Sequence, residues 1–156
     1  MPQNILIAFD DSENAMRAVE YVSSTFNNDC RVKLFCVLPD TAALCDMNSP
    51  ELTPYFKSQQ LAFCTLENQK KSLIEEAFLK AKQCLLDAGF SDESISIVAQ
   101  PKKKGIARDI VNETQSGYDL VVIGRRGVSS IKDYFLGSIS QKILHLARDV
   151  SILIIN

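Results

Sequence analysis

The sequence predicts an α/β protein: an open parallel sheet with helices on both faces. Three observations predict it. Five short apolar runs recur along the chain, each too brief for a helix. The stretches between them carry apolar residues at three- and four-residue spacing. Each run stops at turn or capping chemistry, such as Asp10-Asp11-Ser12, Pro39 or Gly124. Strands alternating with helices in this way favour parallel pairing through right-handed crossovers. At 156 residues the chain reads as one domain, residues 1–156, able to bury ~70% of its unfolded surface.

Residues 5–9 (ILIAF) form a continuous apolar run suited to a strand covered on both faces. Asp11 or Ser12 can cap the helix that follows, in which Ala15, Ala18, Val19, Val22 and Phe26 repeat at helical spacing. Residues 32–38 are the second strand, ended by Pro39. The connection over residues 39–60 holds Pro50 and Pro54 and lacks clean periodicity. Connections of that length are usually functional. A second helix runs through residues 71–88 and begins earlier, near Leu61. Its stripe is Leu73, Ile74, Ala77, Phe78, Ala81, Cys84, Leu85 and Ala88, and Gly89 closes it.

Residues 94–99 are the third strand. The basic turn 101–105 (PKKKG) reads as a solvated loop, since its lysines have no aromatic neighbours. The third helix points Ile106, Ala107, Ile110 and Val111 inward and closes at Gly117. Residues 120–123 are the fourth strand. The fourth helix, residues 138–147, buries Ile139, Ile143, Leu144 and Ala147. Residues 151–155 end the sheet.

A net charge of −2 gives no global attraction toward nucleic acid or membrane. No apolar run approaches the ~20 residues of a membrane span, and residues 1–12 lack a basic leader and a cleavage site. The expected location is therefore cytoplasmic. Five cysteines (Cys30, Cys36, Cys45, Cys64 and Cys84) show no C-x-x-C spacing, and His145 is the single histidine. Reduced thiols and no metal set are expected. Cys45 and Cys64 lie near the long connection, where a regulatory thiol remains an option.

The chemistry concentrates in residues 124–138, GRRGVSSIKDYFLGS. Gly124 and Gly127 follow the fourth strand, and Gly137-Ser138 opens the next helix. Glycines at a strand end and a Gly-Ser at a helix start can aim several backbone N–H groups at one anion. Gly124 and Gly137 can meet only if the segment between them folds back, because extended it spans about 45 Å. For Ser138 alone the helix N-cap role is favoured, although one residue can cap and also contact phosphate. In open sheets the ligand sits at the strand C-termini where strand order reverses. If strands one and four are neighbours, Asp10 and Gly124 line one crevice.

The pattern G-x-x-G-x(nine)-G-S, here Gly124, Gly127, Gly137 and Ser138, resembles the universal stress protein family. The opening residues 5–12 and the turn Gly105-Ile106-Ala107 are also similar to that family. The resemblance implies a Rossmann-like five-stranded sheet of order 3-2-1-4-5, usually dimeric, and ATP binding. By position it implies Asp10 at the adenosine end and the backbone of Val37 near adenine. Ile123, Gly124, Gly127, Gly137 and Ser138 would hold ribose and phosphates. Of Arg125 and Arg126 at most one is expected to pair with phosphate, and Arg126 is assigned. Asp10 should avoid the phosphates unless Mg²⁺ intervenes, and can instead accept from ribose or the adenine amino group. Capping is its alternative role. Arg125-Arg126 is more basic than the usual loop, and Arg148-Asp149-Val150 lacks the common Cys-Pro.

No Walker A lysine motif and no Ser-His-Asp set can be assembled. The expectation is a stress-response binder of ATP or another adenine nucleotide, with hydrolysis slow or absent. The alternative is an interaction protein of the same fold that binds no nucleotide. A receiver domain would need an Asp where Ala99-Gln100-Pro101 ends the third strand. A flavodoxin would need a Ser/Thr-rich loop in place of Asp10-Asp11-Ser12. The apolar last strand, at a sheet edge, calls for cover by a second copy. A homodimer with an unidentified protein partner is therefore expected, without nucleic acid or membrane.

Overall fold

The computed structural model describes residues 2–39, 45, 53–125 and 136–156. Strands β1 (Asn4–Ala8), β2 (Arg31–Leu38), β3 (Ile95–Pro101), β4 (Leu120–Gly124) and β5 (Ser151–Ile155) form one sheet, ordered β3-β2-β1-β4-β5. Every pairing is parallel. Ile5 pairs with Val32 on one side and Leu120 on the other, so β1 and β4 are neighbours as the crevice requires.

Helices α1 (Glu13–Thr25), α2 (Pro54–Asp87), α3 (Ile106–Thr114) and α4 (Ser138–Leu146) cover both faces. Side chains alternate across a strand. Ile5, Ile7, Leu34 and Val122 therefore meet Val19 and Val22 of α1 and Phe78 and Leu85 of α2. Leu6, Phe35, Val121 and Ile123 meet Ala107 and Ile110 of α3 and Ile143 of α4 on the other face. Ile5, Leu6 and Ile7 are fully buried.

The helix ends follow local chemistry. Ser12 caps α1, its Oγ accepting from Ala15 N at 3.1 Å. Gly89, at φ 94°, takes the left-handed position after α2. Phe90 N then donates to Leu85 O and Gly89 N to Leu86 O, closing the last turn.

Four expectations are corrected. Helix α2 begins at Pro54, well before Leu61, because Thr53 caps it and proline suits the first helical position. Its buried stripe is narrower than the sequence suggests. Ile74, Phe78, Ala81 and Leu85 are inside, whereas Leu73 is 53% exposed. In α4 only Ile143 is fully enclosed, and Ile139 and Leu144 are 37% and 40% exposed. Finally, Cys45 and Cys64 form a disulfide with Cα atoms 5.8 Å apart, while Cys30, Cys36 and Cys84 are free. Folding, not sequence spacing, brings that pair within bonding range. Among the described residues no helix is long and apolar enough to cross a membrane.

The basic turn carries its own counter-charge. Asp109, 5% exposed, accepts from Lys103 N at 2.6 Å and Lys104 N at 3.0 Å. Burial pushes its carboxyl up. The backbone N–H groups of Lys103, Lys104 and Gly105, helped by the Lys103 charge, outweigh that and hold it below the usual carboxylate range. A depressed folded pKa stabilises above the unfolded value, ~3.9, and the contribution is lost as pH falls through the folded pKa. Asp109→Ala should cost about 2 kcal/mol at pH 7. Urea unfolding should show that deficit constant down to about pH 5 and shrinking below about pH 4.

Candidate functional site

The order β2-β1-β4 means that connections leave β1 and β4 toward opposite faces, opening a crevice at the strand C-termini. A cavity of about 280 Å³ occupies it. Asp10 and Asp11 follow β1, Val37 and Pro39 end β2, and Ile123 and Gly124 end β4. Helices add Ile106 and Ile110 from α3 and Ser138, Ser140 and Ile143 from α4, with Gly137 just before α4. Of the residues singled out by sequence, Asp10, Val37, Ile123, Gly124, Gly137 and Ser138 line this one cavity. Arg126 and Gly127 lie outside the described residues.

The fold-back between Gly124 and Gly137 is present. Gly137 N donates to Arg125 O at 2.9 Å, and Arg125 N to Ile155 O at 2.7 Å. This ties the entrance of α4 to the end of β4. Buried Ser140 completes the tie, its Oγ donating to Gly124 O at 3.0 Å. Gly124 also lets α1 come close. A Cβ there would stand 2.8 Å from Asn14 Cβ and 3.1 Å from Asn14 C.

The favoured capping role of Ser138 is overturned. Gly137 is the N-cap of α4, with no side-chain cap, and Ser138 is the first helical residue. Gly137 is extended, at φ −55° and ψ 151°, with its N–H on Arg125 O, and the helix starts one residue earlier than a Ser138 cap would give. The first-turn amides of a helix have no intrahelical acceptor. Here residues 138–140 border the cavity, so this end offers N–H groups and a helix dipole to an anion.

The opposite end differs in charge. Asp10 Oδ1 accepts from Ser12 N at 2.9 Å, a local turn that leaves capping to Ser12. Asp11 Oδ1 is closed to solvent and has no hydrogen-bond partner. Lys70 and Ile74, one turn apart on α2, and Cys36 of β2 complete this flank. Burial, then the Asp10 and Asp11 charges, push the Cys36 thiol up to about 12 against the pull of Lys70. Cys36 is therefore a neutral wall. Sequence reasoning missed Lys70, and its i, i+4 relation to Ile74 was the available signal. Among the described residues no group of three or more His, Cys, Asp or Glu side chains could hold a metal ion.

A model described as "Universal stress protein family" matches residues 1–155. The curated relative "Universal stress protein YxiE" of Bacillus subtilis (strain 168) is 34% identical over 68 residues. That match spans 43% of this chain and 43% of the relative's own length. Among solved structures, hypothetical protein MJ0577 superposes with a TM-score of 0.73 at 19% identity, covering 99% of this chain and 96% of that one. Universal stress protein UspA from Lactobacillus plantarum gives 0.68 at 18%, covering 99% and 97%. A universal stress protein in complex with cAMP gives 0.58 at 17%, covering 99% and 97%. These structural likenesses carry the fold.

Gly124→Ala should lower stability by about 1–3 kcal/mol, because its Cβ meets the backbone of α1 and not a movable side-chain tip. Denaturant titration should show the midpoint falling with the slope unchanged.

Proposed function

The chain belongs to the universal stress protein family, and we propose that it binds ATP or another adenine nucleotide across its strand C-termini as a nucleotide-dependent switch. The observation that carries this reading is the start of α4, which has no side-chain cap and faces the same cavity as Gly124 and Asp10. The phosphates lie against residues 137–140, with the Ser138 hydroxyl as an added donor. The base and ribose lie toward Val37 and Asp10, since two carboxylates repel phosphate. The apolar walls Ile106, Ile110 and Ile74 suit the faces of a purine. Mg²⁺, where present, travels with the phosphates. The cAMP complex of a related fold supports the choice of an adenine nucleotide.

Function in this reading is binding, with hydrolysis slow or absent, in a cytoplasmic stress response without nucleic-acid or membrane partners. Calorimetry with ATP, with and without Mg²⁺, should give micromolar affinity. Gly127→Val should abolish it while circular dichroism stays unchanged, and Ser138→Ala should weaken it about tenfold, the loss of one charge-assisted hydrogen bond. No heat of binding from folded wild type would overturn the proposal and leave the interaction-protein reading.

The same proposal includes a homodimer. β5 ends the sheet, and its side chains from Ile152 to Ile155 are only half-buried. A second copy covering this edge satisfies its open backbone groups. Sedimentation equilibrium should return twice the chain mass. A monomer at micromolar concentration would overturn this part alone.

A further inference from the structure

A second cavity, of about 390 Å³, opens between α3 and α4. Apart from Ile106 it shares no lining residue with the crevice at the strand C-termini. Its charge is one-sided. Lys104 comes from the turn before α3, Arg108 from the first turn of α3, and Lys142 and His145 from α4. Among the described residues no acidic side chain lines it. The whole chain carries a net charge of −2, so this clustering runs against its composition.

These cations are not committed elsewhere. The ion pairs among the described residues join Arg17 to Glu13, Lys33 to Glu113 and Lys82 to Asp92, and none includes Lys104, Arg108, Lys142 or His145. Asp109, next to Arg108 in sequence, is engaged by the backbone N–H groups of Lys103 and Lys104 and does not line the cavity. Nor does packing call for the charges, since α3 and α4 meet through Ala107, Ile110 and Ile143. Like charges drawn to one cavity repel, and Arg108 opposes the dipole at the start of its helix. Local rules broken without a structural gain mark functional positions. The floor is of another kind: Ile106, Ala107 and Leu146 are apolar. An apolar floor lowers the local dielectric and strengthens the field of a charged rim.

We propose that the groove between α3 and α4 binds a small phosphate monoester that carries an apolar group. Its phosphate lies among Lys104, Arg108 and Lys142, and its apolar part rests on Ile106 and Leu146. Arginine presents two parallel N–H groups to a phosphate, and lysine adds a point charge. His145, three residues from Lys142 on the same helix face, contributes a ring N–H. An anion between the helices meets cations from both walls. Convergence on one cavity of small-molecule size favours such a ligand over a long polyanion. The site is separate from the crevice and stands whether or not the crevice takes a nucleotide.

The test titrates phenyl phosphate and inorganic phosphate into isotope-labelled protein and follows the backbone amide resonances. Phenyl phosphate should move the amides of residues 104–108 and 142–146 together and saturably. Inorganic phosphate should move the same amides with about three- to tenfold weaker affinity, having no apolar part to bury. Arg108→Gln combined with Lys142→Gln should weaken phenyl phosphate at least about tenfold. The rest of the spectrum should stay unchanged, because both side chains are exposed. Raising the salt to about 0.5 M should weaken binding to wild type as well. Absence of any saturable shift overturns the proposal, as do shifts confined to crevice residues such as Gly124 and Gly137. So does binding that survives in the double variant. Equal affinity for the two probes overturns the role of the apolar floor. A hexaglutamate peptide that moves these amides where phenyl phosphate does not would assign the groove to an acidic protein segment and overturn the proposal too.

Discussion

The burial of β1 on every side is the constraint from which the rest of the molecule follows. It is hydrogen-bonded to β2 on one edge and β4 on the other, and Ile5, Leu6 and Ile7 admit no solvent. A strand with both edges and both faces occupied can project chemistry only from its ends. Its C-terminal end releases Asp10, Asp11 and Ser12 where the chain turns into α1. The next strand over, β4, releases Gly124 at the same level. The crevice between them is thus a by-product of sheet order, and its lining is set by whatever residues follow two apolar runs.

That logic explains what the sequence made legible. Short apolar runs separated by helical spacing determine the strands, and their order of alternation determines the class of sheet. The run over residues 5–9 is apolar throughout, so only the structure sorts Ile5 and Ile7 onto one face and Leu6 onto the other. The cavity-lining glycines were legible because few residues besides glycine satisfy both a strand end and a close helix. Gly124 shows this with α1 pressed against it. The resemblance of residues 124–138 to a known pattern added the strand order.

The rest depends on contacts that spacing does not encode. Ser138 looked like a cap because serine prefers that position, yet Gly137, with its N–H on Arg125 O, is the N-cap and the helix starts one residue earlier. The start of α2 was hidden because the half-buried stripe of residues 54–70 is Gln60, Cys64, Glu67 and Lys70, which is mostly polar. The Cys45–Cys64 bond joins two segments whose proximity only the fold creates. Asp109 offered no pattern at all. Its value lies in backbone N–H groups of the preceding lysines, which a sequence does not display.

Helix α2 is far longer than the sheet it covers. Its 34 residues extend about 50 Å, whereas its enclosed positions begin only at Ile74. Tyr55, Phe56, Leu61 and Leu66 are each more than half exposed. The helix is therefore two thermodynamic units under one set of hydrogen bonds. Its C-terminal half opens only with the core, because Phe78, Ala81 and Leu85 must leave it. The N-terminal half buries less and, although the Cys45–Cys64 bond holds it, opens at a smaller free energy than the C-terminal half. Amide protons along a single helix will thus exchange on two timescales, with the boundary one turn past Lys70, where the helix first touches the cavity.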